Sequence, residues 1–126
     1  MNLKIFYNDL FELHEVPQGH PERPERIQSV NKLIKKKFPQ LIKNISTFDV
    51  DKYILEVHSK SYLDNIKSIS ETTNTIQLDS DTFFSSGTFN AAKIGVCGSI
   101  LAVDHAMQKD NNSSFVCLRP PGHHAE

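Results

Sequence analysis

The most constraining feature of this chain is a long helical pattern that runs, through one short turn, into a buried-strand pattern. From Gly87 to about Met107 apolar and small residues recur at helical spacing, with Phe89, Ala92, Val96, Ile100, Val103 and Met107 as the predicted stripe. Ala91, Gly95, Gly98 and Ser99 keep the helix slim, and two interior glycines cost about 1 kcal/mol each relative to Ala, which close packing explains. After the polar turn Asp110 to Ser114, the run Phe115-Val116-Cys117-Leu118 suits a strand covered on both faces. Helices alternating with short apolar strands point to an α/β fold with a parallel sheet.

The rest of the chain continues the alternation. Leu3 to Tyr7 reads as an opening strand, and Pro17, Gly19 and Pro21 keep the following segment irregular. Pro24 starts a helix at the position where its missing N–H costs little. Ile27, Val30, Leu33, Ile34 and Phe38 form its expected apolar face, and Pro39 ends it. Ile45 to Phe48 reads as a second strand. Asp49 or Asp51 caps a further helical stretch, with Tyr53, Ile54 and Val57 as its apolar face and Tyr62, Leu63, Ile66 and Ile69 continuing it after Ser59. Glu71 to Ser80 is polar and loop-like, and Asp81-Thr82 is placed to cap another turn. No internal repeat or domain boundary interrupts the 126 residues.

Composition excludes several function classes. Hydrophobic residues at 38% and charged residues at 23% mark a globular chain, not a disordered one. With a formal net charge of −1 and one basic run, Lys35-Lys36-Lys37 at a helix end, there is no nucleic-acid surface to expect. Lys4, Asp9 and Glu12 break any signal-peptide core, and no apolar run reaches the roughly 20 residues that span a bilayer. Cys97 and Cys117 form no CxxC pair, so a zinc knuckle is unsupported, and two unpaired thiols suit a reducing, cytoplasmic setting.

Four segments stand out chemically. Arg119-Pro120-Pro121-Gly122-His123-His124-Ala125-Glu126 places a rigid turn at a strand end and then two imidazoles in series, the groups most easily tuned to exchange a proton near neutral pH. Ligands bind at such strand carboxyl ends in parallel sheets. His20-Pro21-Glu22-Arg23-Pro24-Glu25-Arg26-Ile27 has carboxylates at a helix start, where the dipole favours them. Its Arg23 and Arg26 are candidates to point inward toward an anion or carbonyl, although an ordinary capped helix start accounts for the segment taken alone. Asp79-Ser80-Asp81-Thr82 is a loop without the spacing of a calcium-binding helix–loop–helix. Val57-His58-Ser59 reads as a structural helix end, and His105 as exposed or packed rather than catalytic.

In this order and spacing, the four segments and the small-residue helix resemble the histone deacetylase superfamily, and most closely its class II and acetylpolyamine amidohydrolase branch. The resemblance implies an arginase-like, three-layer parallel-sheet α/β fold, with residues 1–126 as the N-terminal part of a single domain. It implies zinc-dependent hydrolysis of acetyl amides on lysine or polyamines. Residue by residue, it makes His124 the general base and then the acid that protonates the leaving amine, and His123 the group that orients water and stabilises charge. It puts Asp81 at the rim holding substrate, Gly122 where substrate approaches the loop, and Arg26 along an internal cavity.

The departure is as informative as the match. The family's zinc ligands, an Asp-x-His pair and a later Asp, follow the His-His motif, and these 126 residues contain none of them. A catalytic zinc needs three protein ligands and an open position. The expectation is therefore that the chain alone binds no zinc at the family site and is inactive. It is read as a fragment, a truncated gene model, a split-enzyme half completed by a second chain that carries the ligands, a non-catalytic module binding an acyl-amine or a protein partner, or a decayed remnant. An open apolar edge on the last strand, with marginal stability, is expected to accompany it.

Overall fold

The computed structural model describes residues 2–72 and 74–122. Strand β1 (Asn2–Tyr7) is central in a three-stranded parallel sheet, flanked by β2 (Ile42–Asn44) on one side and β5 (Asn112–Val116) on the other. Ile5, Phe6 and Tyr7 are all buried although adjacent strand side chains point to opposite faces, so both faces of β1 are covered. Helix α1 (Pro24–Lys37) covers the Tyr7 face, where Lys35 donates to the Tyr7 hydroxyl at 2.8 Å. Helix α4 (Thr88–Met107) covers the Phe6 face, where the rings of Phe6 and His105 meet edge to face at 6.4 Å. The result is helix, sheet, helix. Its main core gathers Phe6, Phe11, Ile27, Ile45, Val50, Ile94, Cys97 and Ala102.

Between β2 and α4 lie the single turn α2 (Asp51–Ile54), helix α3 (Lys60–Ser70), which the Ser59 side chain caps by accepting from Tyr62 N, and a minimal antiparallel hairpin, β3 (Ile76–Gln77) with β4 (Phe83–Phe84). Asp79 and Asp81 sit in the hairpin loop.

Several sequence expectations shift. The second strand is Ile42–Asn44, not Ile45–Phe48, because its register is set by pairing Ile5 with Ile42; Ile45 adds one bond to Tyr7 O at 2.9 Å and then turns into the core. Asp81-Thr82 caps no helix, since Phe83 and Phe84 pair back onto β3. Val57 is 78% exposed because α2 ends after one turn. On α1 only Ile27 and Ile34 of the expected face are buried, with Asn31 between them.

The largest correction is on α4. Its buried row is Ala91, Ile94, Cys97, Gly98, Ala102 and His105, while Val103 and Met107 of the predicted stripe stand exposed. A helix that is apolar on both sides gives periodicity little to choose between, and the sheet selects the side with the smaller residues. Gly98 shows why: a Cβ there would lie 2.6 Å from Ile45 Cδ1. At Gly95 it would meet only ordinary contacts at 3.7 Å, so close approach explains one of the two glycines. The last strand begins earlier than expected, at Asn112, because it pairs with β1 from Asn2 onward. It is not fully buried. Among the described residues it is a sheet edge, and Phe115 is 44% exposed.

Candidate functional site

The segments leaving the carboxyl ends of β1 and β5 converge. After β1 the chain makes a 3-10 turn (Asp9–Leu13) and runs through His14 to His20 and Glu22 before α1. After β5 it reaches Arg119, which is 4% exposed. The Arg119 guanidinium is held from three directions. Nε and Nη2 donate to the two carboxylate oxygens of Glu22 at 2.5 and 2.8 Å, and Nη1 donates to the carbonyl of Phe11 at 3.2 Å. Burial pushes the Glu22 carboxyl up, but the hydrogen bonds and charge of Arg119 more than reverse this and hold it below the usual range.

His14 packs beside this pair. Its Nδ1 hydrogen-bonds Thr88 Oγ1 at 2.8 Å, and its Nε2 lies 3.7 Å from Glu22 Oε2. Burial first, and the Arg119 charge second, push its pKa down to about 4, so it is neutral at physiological pH. Thr88 Oγ1 also accepts from Ser85 N at 2.8 Å, and Ser85 Oγ accepts from Glu15 N at 2.9 Å. Gly87 lets the two segments touch: a Cβ there would stand 2.2 Å from the carbonyl oxygen of Leu13.

A second pair lies at the rim. His20 Nε2 is 3.1 Å from Asp81 Oδ1, and its Nδ1 hydrogen-bonds the Glu22 carbonyl at 2.9 Å. The bond to that carbonyl and the Asp81 carboxylate raise the His20 pKa above its ordinary value. The ring packs edge-on against Phe83 at 5.4 Å. Asp81 is exposed, its amide tied to Asp79 Oδ1 at 2.8 Å.

The expected site residues fall as follows. Gly122 is exposed, with open space where a side chain would stand. Arg26 is exposed on the first turn of α1, near enough that its charge opposes the upward push of burial on the Cys117 thiol. Arg23 does not point inward; it is exposed and lies 3.9 Å from Glu25, because both belong to the solvent side of the helix start. His123 and His124 lie outside the described residues. His58 stacks on Tyr62, and His105 is packed, bonding the Asn2 carbonyl at 3.2 Å. Among the described residues no three His, Cys, Asp or Glu side chains are grouped to hold a metal. Sequence reasoning missed His14, Ser85 and Thr88 and the partnership of Glu22 with Arg119. The available signal was an arginine directly after an apolar strand run, which needs a buried carboxylate.

A parallel-sheet α/β fold thus gathers charged and imidazole groups at its strand carboxyl ends, where such sheets bind ligands. The histone deacetylase domain family matches residues 20–126. The chain is 31% identical to Type-2 histone deacetylase 1 of Dictyostelium discoideum, covering 89% of this chain and 11% of that protein. It is 29% identical to a probable deacetylase of Archaeoglobus fulgidus, covering 97% and 34%. The crystal structure of the HDA15 HD domain superposes with a TM-score of 0.81 at 25% identity, over 98% of this chain and 36% of that one. The chain belongs to the histone deacetylase family and corresponds to its N-terminal part, with an α/β deacetylase fold. It spans less than half the length of the curated relatives it matches. No helix among the described residues is long and apolar enough to cross a membrane.

Proposed function

We propose that this chain supplies the proton-transfer side of a zinc-dependent deacetylase site that hydrolyses acetyl amides of lysine or polyamines. The observation that supports it is the Glu22–Arg119 pair. It joins the motif that begins at His20 to the motif that begins at Arg119, and does so where a parallel sheet binds ligands. In this reading His124 takes a proton from the attacking water and returns it to the leaving amine. His123 orients that water and stabilises developing charge. Asp81 holds the substrate's backbone or amine at the rim, Gly122 gives it room, and Arg26, exposed among the described residues, lines the internal cavity only once the rest of the domain covers it. Zinc, whose family ligands are not among these 126 residues, would supply carbonyl polarisation when bound in the completed domain. A second reading, a split-enzyme half working with another chain in the cytoplasm, draws on the open edge of β5 with its exposed Phe115, which is suited to accept a further strand.

The test is an assay of the purified protein with zinc, using an acetyl-lysine peptide and an acetylated polyamine, alone and with a polypeptide supplying the rest of the domain. The reading expects turnover only in the completed domain, with His124→Ala lowering it about 10²- to 10⁴-fold. Equal turnover by His124→Ala and wild type would sink it.

A further inference from the structure

We propose that His20 is the positioning residue for Asp81 and sets the charge of the rim, so that the protonation state of this one ring tunes affinity for substrates carrying an ammonium group. The word substrate rests on the functional reading above; the pairing and its charge do not.

The ring is held on three sides. It packs edge-on against Phe83, and its Nε2 meets Asp81 Oδ1 at 3.1 Å. Its Nδ1 stands 2.9 Å from the carbonyl oxygen of Glu22 and 3.1 Å from the amide nitrogen of the same residue. Nδ1 therefore has both an acceptor and a donor within reach. As imidazolium it donates to the carbonyl. As neutral imidazole it accepts from the amide, and in both states Nε2–H donates to Asp81. A proton comes and goes without turning the ring or releasing the carboxylate. What changes is charge: the pair is net neutral with His20 protonated and singly negative without. The His20 side chain is 14% exposed and that of Asp81 60%, so the ring supports a carboxylate that faces solvent.

The neighbours leave His20 as the group that titrates at the rim among the described residues. On its own loop, Glu22 is ionised and committed to Arg119, and His14 stays neutral down to about pH 4. On the hairpin, Asp79 holds the Asp81 amide through its carboxylate at 2.8 Å. The Glu22 carbonyl first, and Asp81 after it, raise the His20 pKa, so its proton is lost above the ordinary histidine range. Affinity for a cation rises as pH climbs through that point.

The test titrates the ¹⁵N-labelled full chain with monoacetylated diaminobutane, whose amine stays charged to about pH 9, and follows the Asp81 and Phe83 amides at pH 6 and pH 9. Kd is expected to fall about twofold to fivefold from pH 6 to pH 9. An acetylated monoamine of equal length, without the ammonium, is expected to show no such fall. His20→Gln keeps a donor for Asp81 but takes no charge, and is expected to bind the diamine at both pH values as wild type does at pH 9. The wild-type comparison stands by itself should that variant not fold. A wild-type Kd equal at the two pH values, no binding at either, or a His20→Gln protein that keeps the wild-type pH dependence overturns the proposal. If the pH-dependent binding holds while the completed domain turns over no acetyl amide, the charge inference stands and the deacetylase reading fails. Turnover with pH-independent binding sinks the inference alone.

Discussion

Two charge pairs leave the same short loop in opposite directions. Glu22 turns inward to Arg119, where both side chains are largely buried; His20, two residues earlier, turns outward to Asp81, whose side chain is 60% exposed. Burial decides what each can do. In the interior an unpaired charge has no water to replace its partner, so the pair is costly to break and holds geometry rigidly. At the rim water and salt compete with every contact, so the pair adds little stability and stays available to a ligand. One loop thus carries a fixed anchor and an adaptable edge.

The largest effect expected is on the buried side. Glu22→Gln strands the Arg119 guanidinium and is expected to cost about 3–5 kcal/mol in urea unfolding. The double replacement Glu22→Leu with Arg119→Met should recover much of it, since a well-packed apolar pair is often as stable as a buried ion pair. A loss under about 1 kcal/mol in the single variant would break the contrast. Next comes the packing that keeps His14 against α4. Gly87→Ala drives a Cβ into the Leu13 carbonyl and is expected to cost about 1–3 kcal/mol. Gly95→Ala, where space exists, should instead gain up to about 1 kcal/mol from helix propensity.

Elements whose pattern is local could be read from the chain itself. Helix α1 between Pro24 and Pro39, the opening strand and the long helix α4 all carry their own start, stop and period. What could not be read depends on partners distant in sequence. The buried side of α4 was hidden because both of its sides are apolar, and only the fit of Gly98 against Ile45 separates them. The register of β2 depends on β1, and the hairpin around Asp81 on a two-residue pairing. Likewise, motif order exposed the family, but the Glu22–Arg119 bond spans 97 positions, and an arginine directly after an apolar strand run does not say which carboxylate it meets.

A smaller effect follows from pH. His14 is depressed to about 4 in the fold against about 6.5 in the unfolded chain. Below pH 6.5 the unfolded state therefore binds the proton first, and stability falls as pH drops toward 4. After allowance for solvent screening, the loss between pH 7 and pH 5 is expected to be about 1–2 kcal/mol. His14→Gln should flatten that window, leaving the loss at lower pH that comes from protonating Glu22, whose folded pKa is also depressed. A wild-type urea midpoint unchanged from pH 7 to pH 5 would show that His14 is not held neutral.

The rim pair should move stability least and in the opposite pH direction. The His20 pKa is raised in the fold, so its contribution is complete below the ordinary histidine range and fades as pH climbs through the raised value. Asp81→Asn keeps a hydrogen-bonding oxygen for His20, so at roughly 0.15 M salt its melting midpoint should coincide with that of wild type. Its effect belongs to binding. If Asp81 holds substrate, Asp81→Asn in the completed domain raises KM and leaves kcat near wild type. Asp81→Asn and Glu22→Gln, drawn from opposite ends of one loop's reach, should therefore separate cleanly in stability, with only Glu22→Gln lowering the urea midpoint. A shared pattern would mean that rim and anchor act as one unit, and that the division between them is only geometric.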